Sequence, residues 1–318
     1  MNGIICIYKP KEYTSFDVVA VIRKLFKTRK VGHGGTLDPM AEGVLPVFMG
    51  SATRAVDLQP ENDKEYLAGF RFGIETDTQD ITGMVTAIDE GYVSRNKMIF
   101  FQRFVGEIEQ IPPMFSAVQV KGVRLYDLAR KGKTVERPPR KITINSIKVE
   151  HYADGEGIMR VSCSKGTYIR TLIHDIGKAL GTHAVMTSLV RTRSGIFTLD
   201  DCYNLDDIRE YAAHEGTEPL RQLLTPTDKL FKDYPRARLD DTQTHLFLNG
   251  VKLSADRIRF DKIINGLYTI YSDKGILLAI GEIEKDRSLG VVRRFTATDT
   301  TDDMPDLSEI IEGEGEFE

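Results

Sequence analysis

Residues 31–47 read VGHGGTLDPMAEGVLPV. One aspartate, Asp38, stands between a glycine-rich turn (Gly34, Gly35) and an apolar run, with His33 upstream and Pro39 directly after it. An aspartate in such company is by default a turn residue whose side chain accepts from nearby backbone N–H groups. The same features also let a loop present one carboxylate in a fixed position. A phosphate-binding loop would close on Gly-Lys-Ser/Thr, which is missing. A glycosidase would want a second carboxylate, and the loop offers only Glu42, four residues on. Taken alone, the loop leaves the turn and the catalytic readings open.

The segments around it set the fold class. GIICIY, ahead of Lys9-Pro10, is a short apolar strand, and Thr14-Ser15-Phe16-Asp17 has the form of a capping box. Val18, Ile22, Leu25 and Phe26 follow at helical spacing. Residues 66–73 alternate as a strand does. The spacing predicts helices over 95–105, bearing Phe100, Phe101 and Phe104, and over 124–131, ending at Gly132. Strands are expected over 142–151 and 157–163, and TYIRTLIHDIGKAL (167–180) is helical by period and stops at Gly181. Strands and helices mix without β-α alternation, which points to α+β rather than a doubly wound parallel sheet. Prolines and lost periodicity place a boundary near 225–235. Beyond it the short pieces ARLD, GVKLS, GLYTIYS, GILLAIGEIE and VVRRF, separated by glycine turns, read as a small β domain. The domains expected are 1–228, 229–297 and an acidic, disordered tail over 298–318.

The chain has 318 residues and a formal net charge of −4, with 43 basic and 47 acidic residues. The last eighteen residues hold eight of the acids and no base, so the remainder is positive by four. Residues 121–141, KGVRLYDLARKGKTVERPPRK, carry eight Lys/Arg against two acids, and KLFKTRK (24–30) carries four more bases. Such stripes are either a solvated face or an electrostatic footprint for phosphates. Three cysteines without Cys-x-x-Cys suit a reducing cytoplasm, and the six scattered histidines form no ligand spacing, so no metal is expected. Nothing in the chain has the length of a membrane span or the layout of a signal peptide.

Six collinear segments decide between the readings of the loop. GIICIYKPKEYTSFDVV (3–19), VGHGGTLDPMAEGVLPV (31–47), KEYLAGFRFGIETDTQDITG (64–83), QIPPMFSAVQVKGVRLYDLARKG (110–132), CSKGTYIRTLIHDIG (163–177) and LVRTRSGIF (189–197) resemble, in order and spacing, the motifs of the bacterial tRNA pseudouridine-55 synthases, the TruB family. The resemblance covers about residues 3–230. The final β segment resembles, more weakly, the PUA-type RNA-binding module. The resemblance implies a pseudouridine synthase fold: a mixed, largely antiparallel sheet flanked by helices, with a small C-terminal β domain.

It implies further that Asp38 is the nucleophile, Tyr66 the base-stacking tyrosine and Arg170 the arginine that pairs with the aspartate. His33, Tyr168 and Leu189 fall where the family meets the target nucleotide, and Lys9, in its first motif, is expected with them among the substrate- or RNA-contacting residues. Without the resemblance, Tyr66 and Leu189 are core residues, Tyr168 packs on the sheet, His33 belongs to a turn, and Arg170 snorkels at the surface. The sequence departs from the family pattern at Gly34, where threonine is common, at Tyr8 and at Glu12. The activity implied is isomerisation of uridine in the T-arm loop of tRNA: the N1–C1′ bond breaks and the base rejoins through C5. The substrate partner is tRNA. No cofactor, metal, membrane or obligatory protein partner is expected, and with no heptad seam the chain reads as a cytoplasmic monomer. Two alternatives stay open: a non-catalytic tRNA-binding or RNA-folding protein on the same scaffold, and a glycosidase-like hydrolase.

Overall fold

The structure, a computed structural model, describes residues 1–91, 93–120 and 122–295. It comprises two units, divided between Lys232 and Asp233, four residues beyond the expected boundary. The acidic segment expected from 298 onward lies outside the described residues.

The first unit opens with strand β1 (Gly3–Lys9), helix α1 (Ser15–Leu25), β2 (Val31–His33) and β3 (Glu42–Met49). Strand β4 (Lys64–Phe72) leads into a small hairpin, β5 (Ile74–Thr76) and β6 (Val85–Ile88). Next come β7 (Gly106–Gln110), a second small hairpin of β8 (Gln119–Val120) and β9 (Val123–Arg124), and the short helix α2 (Leu125–Ala129). The long strands β10 (Arg140–Ala153) and β11 (Glu156–Cys163), helix α3 (Ile169–Leu180), β12 (Ala184–Ser194), β13 (Phe197–Thr198) and helix α4 (Leu205–Glu215) complete the unit's regular elements. The main sheet runs β1-β3-β12-β4-β11-β10-β7, with β2 on β3 and β13 on β12. All its pairings are antiparallel except β3 with β12. The architecture is therefore α+β with a largely antiparallel sheet.

Local chemistry explains the ends of the helices that matter for the site. At α1, Thr14 Oγ1 accepts from the Asp17 amide while the Asp17 carboxylate accepts from the Thr14 amide, the reciprocal bonding of a capping box. At α3, Gly181 sits at φ 80°, and the Thr182 amide reaches back to the Gly177 carbonyl, as a left-handed glycine cap requires. Two apolar clusters hold the unit together. In one, Phe70 meets Phe72, Phe101 and Tyr152 with ring centroids 5.4–6.1 Å apart. The other joins α1, β1, β3 and α4 through Val18, Ile22, Ile5, Leu45 and Leu205. Each such side chain taken out of water contributes roughly 1.5–3 kcal/mol before its entropy cost.

One expectation needs correction, and two strands carry no clear signature in the sequence. Residues 95–104 form a 3₁₀ run rather than an α-helix. Met98, Phe101 and Phe104 are the residues turned to the core, and their spacing of three matches three residues per turn. Strand β12, next to the middle of the sheet, was not foreseen, because register shifts at Met186/Ser188 and Arg191/Arg193 break its alternation. Strand β3 reads in sequence only as an apolar run, since it is buried almost throughout.

The second unit holds β14 (Arg236–Leu239), α5 (Asp241–Leu248), β15 (Leu253–Ser254), β16 (Arg259–Phe260), β17 (Leu267–Ser272), β18 (Leu277–Ile283) and β19 (Ser288–Arg294). Its sheet runs β15-β19-β18-β17-β14-β16 around a core that includes Phe247, Tyr268, Ile270 and Leu278. This is the small β domain that the sequence indicates, consistent with a PUA-like module. Helix α5, capped by Asp240 and Gln243, was not foreseen.

Candidate active site

The loop between β2 and β3 is built backwards from its carbonyls. Lys64 Nζ donates to Gly34 O at 3.3 Å, Arg191 Nη2 to Gly35 O at 3.1 Å and Arg191 Nη1 to Thr36 O at 3.4 Å. Ser15, at the start of α1, binds both the amide and the carbonyl of Leu37. The Ala41 amide closes a turn on Asp38 O at 3.0 Å, with Pro39 supplying the fixed φ that suits this turn position. Lys9 Nζ then takes Pro39 O at 3.2 Å, together with Pro10 O and Tyr13 O. Consecutive carbonyls from 34 to 39 are thus held, four of them by three buried cations. Gly35, at φ 130°, and Gly43, at φ 101°, are the two bends that need glycine. A Cβ on Gly43 would lie 2.3 Å from Arg191 O.

The pinned loop delivers Asp38 to Arg170 on the first turn of α3. Arg170 Nη2 lies 3.3 Å from Asp38 Oδ2. Both terminal nitrogens are engaged further: Nη2 also donates to Phe115 O, and Nη1 donates to Thr78 O at 3.3 Å and lies 3.7 Å from Asp80 Oδ2. Arg170 is 4% exposed, whereas a third of the Asp38 side chain is still reached by solvent. Burial holds the Asp38 carboxyl above the usual carboxylate range; Arg170 opposes this, Asp80 adds to it, and Lys9 opposes it further.

Asp38 and Arg170 line a cavity of about 440 Å³, within the range of small-molecule sites. Tyr66, His33, Tyr168 and Leu189 line the same cavity. Tyr66 is paired across the sheet with Val161 on one side and Arg191 on the other, and burial pushes its phenol up. The His33 imidazole is pushed down by burial and then by Arg191, and its Nδ1 accepts from the Gly35 amide, which leaves the proton on Nε2. Tyr168 caps α3, its amide and carbonyl both held by the Gln110 side chain. Burial lowers Lys64, also in the wall, to about 7.

The family described as TruB family pseudouridylate synthase (N terminal domain) matches residues 23–169, and tRNA pseudouridylate synthase B C-terminal domain matches residues 170–232. The chain belongs to the TruB family. It is 45% identical over 265 residues to the tRNA pseudouridine synthase B of Lactiplantibacillus plantarum, covering 80% of this chain and 85% of that one. With the tRNA pseudouridine synthase B of Clostridium kluyveri it shares 40% identity over 296 residues, covering 93% of this chain and all of the relative. Among solved structures, a Cbf5-Nop10-Gar1 complex contains a chain that matches with a TM-score of 0.70 at 31% identity, over 92% of this chain and 85% of that one.

Of the residues that the TruB resemblance singles out, six converge on one cavity: His33, Asp38, Tyr66, Tyr168, Arg170 and Leu189. Lys9 does not reach it. Expected among RNA-contacting residues, it is fully buried beneath the loop, its ammonium spent on three carbonyls and lowered by burial to about 8. Arg170, a surface residue by its sequence context alone, is among the most enclosed charges in the unit. Reading the sequence also missed three residues that hold the site. Lys64 and Arg191 pin the loop, and each stands two residues along its strand from a residue already chosen, Tyr66 and Leu189. The third, Asp80, is a second carboxylate beside Arg170, in the Thr-Asp-Thr segment. It is 4% exposed and absent from the cavity wall, with Oδ1 accepting from Thr78 and Thr82, which suits positioning rather than acid catalysis.

Proposed function

We propose that this chain isomerises uridine to pseudouridine in the T-arm loop of tRNA, with Asp38 as nucleophile. The observation that carries this reading is the Asp38–Arg170 contact at 3.3 Å on the wall of the cavity that Tyr66 lines. The chemistry needs an oxygen nucleophile that is anionic near neutral pH, and a carboxylate meets that need where a hydroxyl does not. Arg170 keeps the charge and fixes its direction, and Asp80 fixes Arg170. A loop whose carbonyls are tied down moves little when RNA arrives, so the carboxylate is already aimed.

The uridine must leave its stack to reach Asp38, at a cost of a few kcal/mol. Stacking on the Tyr66 ring returns roughly 1–3 kcal/mol of it. Burial raises the Tyr66 phenol and so favours its neutral form, which suits stacking and hydrogen bonding to the extruded base. The basic stretches supply the phosphate contacts: Lys24, Lys27, Arg29 and Lys30 are exposed, as are Arg130, Lys131, Lys133 and Arg140. In the second unit Arg236 and Arg238 share the exposed side of β14, and Arg238 faces Arg259 across the strand pair. Like charges so placed repel one another, and a polyanion relieves that repulsion. This supports RNA contact by the β domain.

The test is tritium release from [5-³H]uridine in a T-arm stem-loop. The wild-type chain releases tritium and Asp38→Asn does not, although both bind the RNA. Equal release by both would remove Asp38 from its role. RNA binding by both with no release by either would favour an RNA-folding protein on this scaffold.

A further inference from the structure

Cys6 and Cys202 lie 196 residues apart in sequence, yet their sulfurs are 3.3 Å apart. The approach is built into the backbone. Tyr203 bridges Ile7 in parallel register, its amide donating to Cys6 O at 2.9 Å while the Tyr8 amide donates to Tyr203 O at 2.9 Å. Cys6 and Cys202 are the next residues back along these two extended segments, so they face one another and project to the same side. Paired extended segments run about 4.8 Å apart, inside the Cα separation that a disulfide tolerates, roughly 4.4–6.8 Å. Cys6 is 3% exposed; Cys202 is only partly buried.

We propose that Cys6 and Cys202 form a thiol–disulfide site that takes low-molecular-weight disulfides, of which oxidised glutathione is the probe. The accessible Cys202, as thiolate, attacks one sulfur of the small disulfide. A Cys202 mixed disulfide forms and one small thiolate leaves. Cys6 then gives up its proton and attacks Cys202 Sγ, which expels the second small thiol. Two cysteine thiols are oxidised by two electrons, and the small disulfide is reduced to two thiols that carry the two protons. The order follows from the environment. The hydrogen bond with Cys202, and then burial, push the Cys6 thiol far up, so Cys6 does not attack first. Once Cys202 is capped, the larger of these two causes is gone.

The product staples β1 to the segment that follows β13. Three residues along β1 from Cys6 is Lys9, which holds Pro39 O beneath the loop, so the staple reinforces the strand that supports the site. Cys163, wholly buried in β11, is an internal control.

The full-length protein is equilibrated with oxidised glutathione, its free thiols are blocked, and it is digested without reductant for mass spectrometry. The expected result is one linked peptide pair containing Cys6 and Cys202, lighter by two hydrogens than the separate peptides, reversed by dithiothreitol, with Cys163 unmodified. Oxidation also raises the thermal midpoint by several degrees, because the link closes a very long loop. Cys202→Ser abolishes both the link and the shift while leaving basal activity unchanged. Glutathione resting on Cys202 without transfer to Cys6, or both thiols remaining free to alkylate, would overturn the proposal.

Discussion

Replacing Arg170 tests whether the guanidinium acts on Asp38 or only fills space. Arg170→Met keeps much of the volume and removes the charge. Two carboxylates, Asp38 and Asp80, then lose their cation, and the carbonyls of Thr78 and Phe115 lose a donor. Removing one partner of a buried ion pair costs about 3–5 kcal/mol. Solvent reaches a third of Asp38, so the lower end applies, about 3 kcal/mol. For a unit of this size that lowers the melting midpoint by roughly 6–12 °C, short of unfolding at ordinary temperature.

The functional effect is separable from this loss. Of the two cations that hold the Asp38 carboxyl down, Arg170 is the larger influence and Lys9 the smaller. Without Arg170, burial and Asp80 both push it up, and the acid limb of the pH–rate profile moves to higher pH. Misplacement of the carboxylate by an ångström costs about 100-fold more. Single-turnover tritium release from about pH 5 to about pH 9, the span that brackets a raised carboxyl, should show a large loss near neutrality that recovers in part as pH rises. Arg170→Lys keeps the charge but cannot span four acceptors, so it should keep the wild-type limb and lose rate. A folded Arg170→Met with the wild-type acid limb would refute an electrostatic role for Arg170.

Three further outcomes follow from the same geometry. Asp38→Asn should melt above the wild type at pH 8: the folded state disfavours the charged carboxyl, a cost that builds between the unfolded pKa and the raised folded pKa and is full above the latter, so the gain should shrink as pH falls below the folded pKa and vanish below the unfolded one; an unchanged or lower midpoint would count against it. Lys64, lowered to about 7, favours the fold more as pH rises from about 7 toward its ordinary value near 10.5. Lys64→Met should flatten that rise in urea melts at stepped pH, and its release of Gly34 O should slow tritium release. Gly43→Ala, at φ 101° with its Cβ 2.3 Å from a backbone oxygen, should destabilise by at least about 2 kcal/mol, read as a lower urea midpoint.

What was legible in the sequence, and what was not, divides along a physical line. Asp38, Tyr66 and Arg170 stand in segments with strong local signatures, and the capping box at Thr14 and the glycine cap at Gly181 announce the helices that flank the site. Local signals say nothing of which strand lies beside which. That Tyr66 faces Arg191, and Arg191 faces Gly43, is set by the register of β4, β12 and β3, and the bulges of β12 hide its alternation from any window. The residues missed are therefore those that act across the sheet. Lys9 was misplaced for a related reason. A lysine in a loop-like Lys-Pro segment looks exposed, but here three carbonyls satisfy its three N–H donors, which makes its burial tolerable. Buried cations bonded to carbonyls leave the loop's geometry fixed without placing a competing anion next to Asp38. An aspartate in those positions would raise its carboxyl further, as Asp80 does, and a neutral donor would not counter the charge of Asp38. Lys9 thus both stiffens the loop and helps keep its one carboxylate charged, so stiffness and reactivity cannot be mutated independently there.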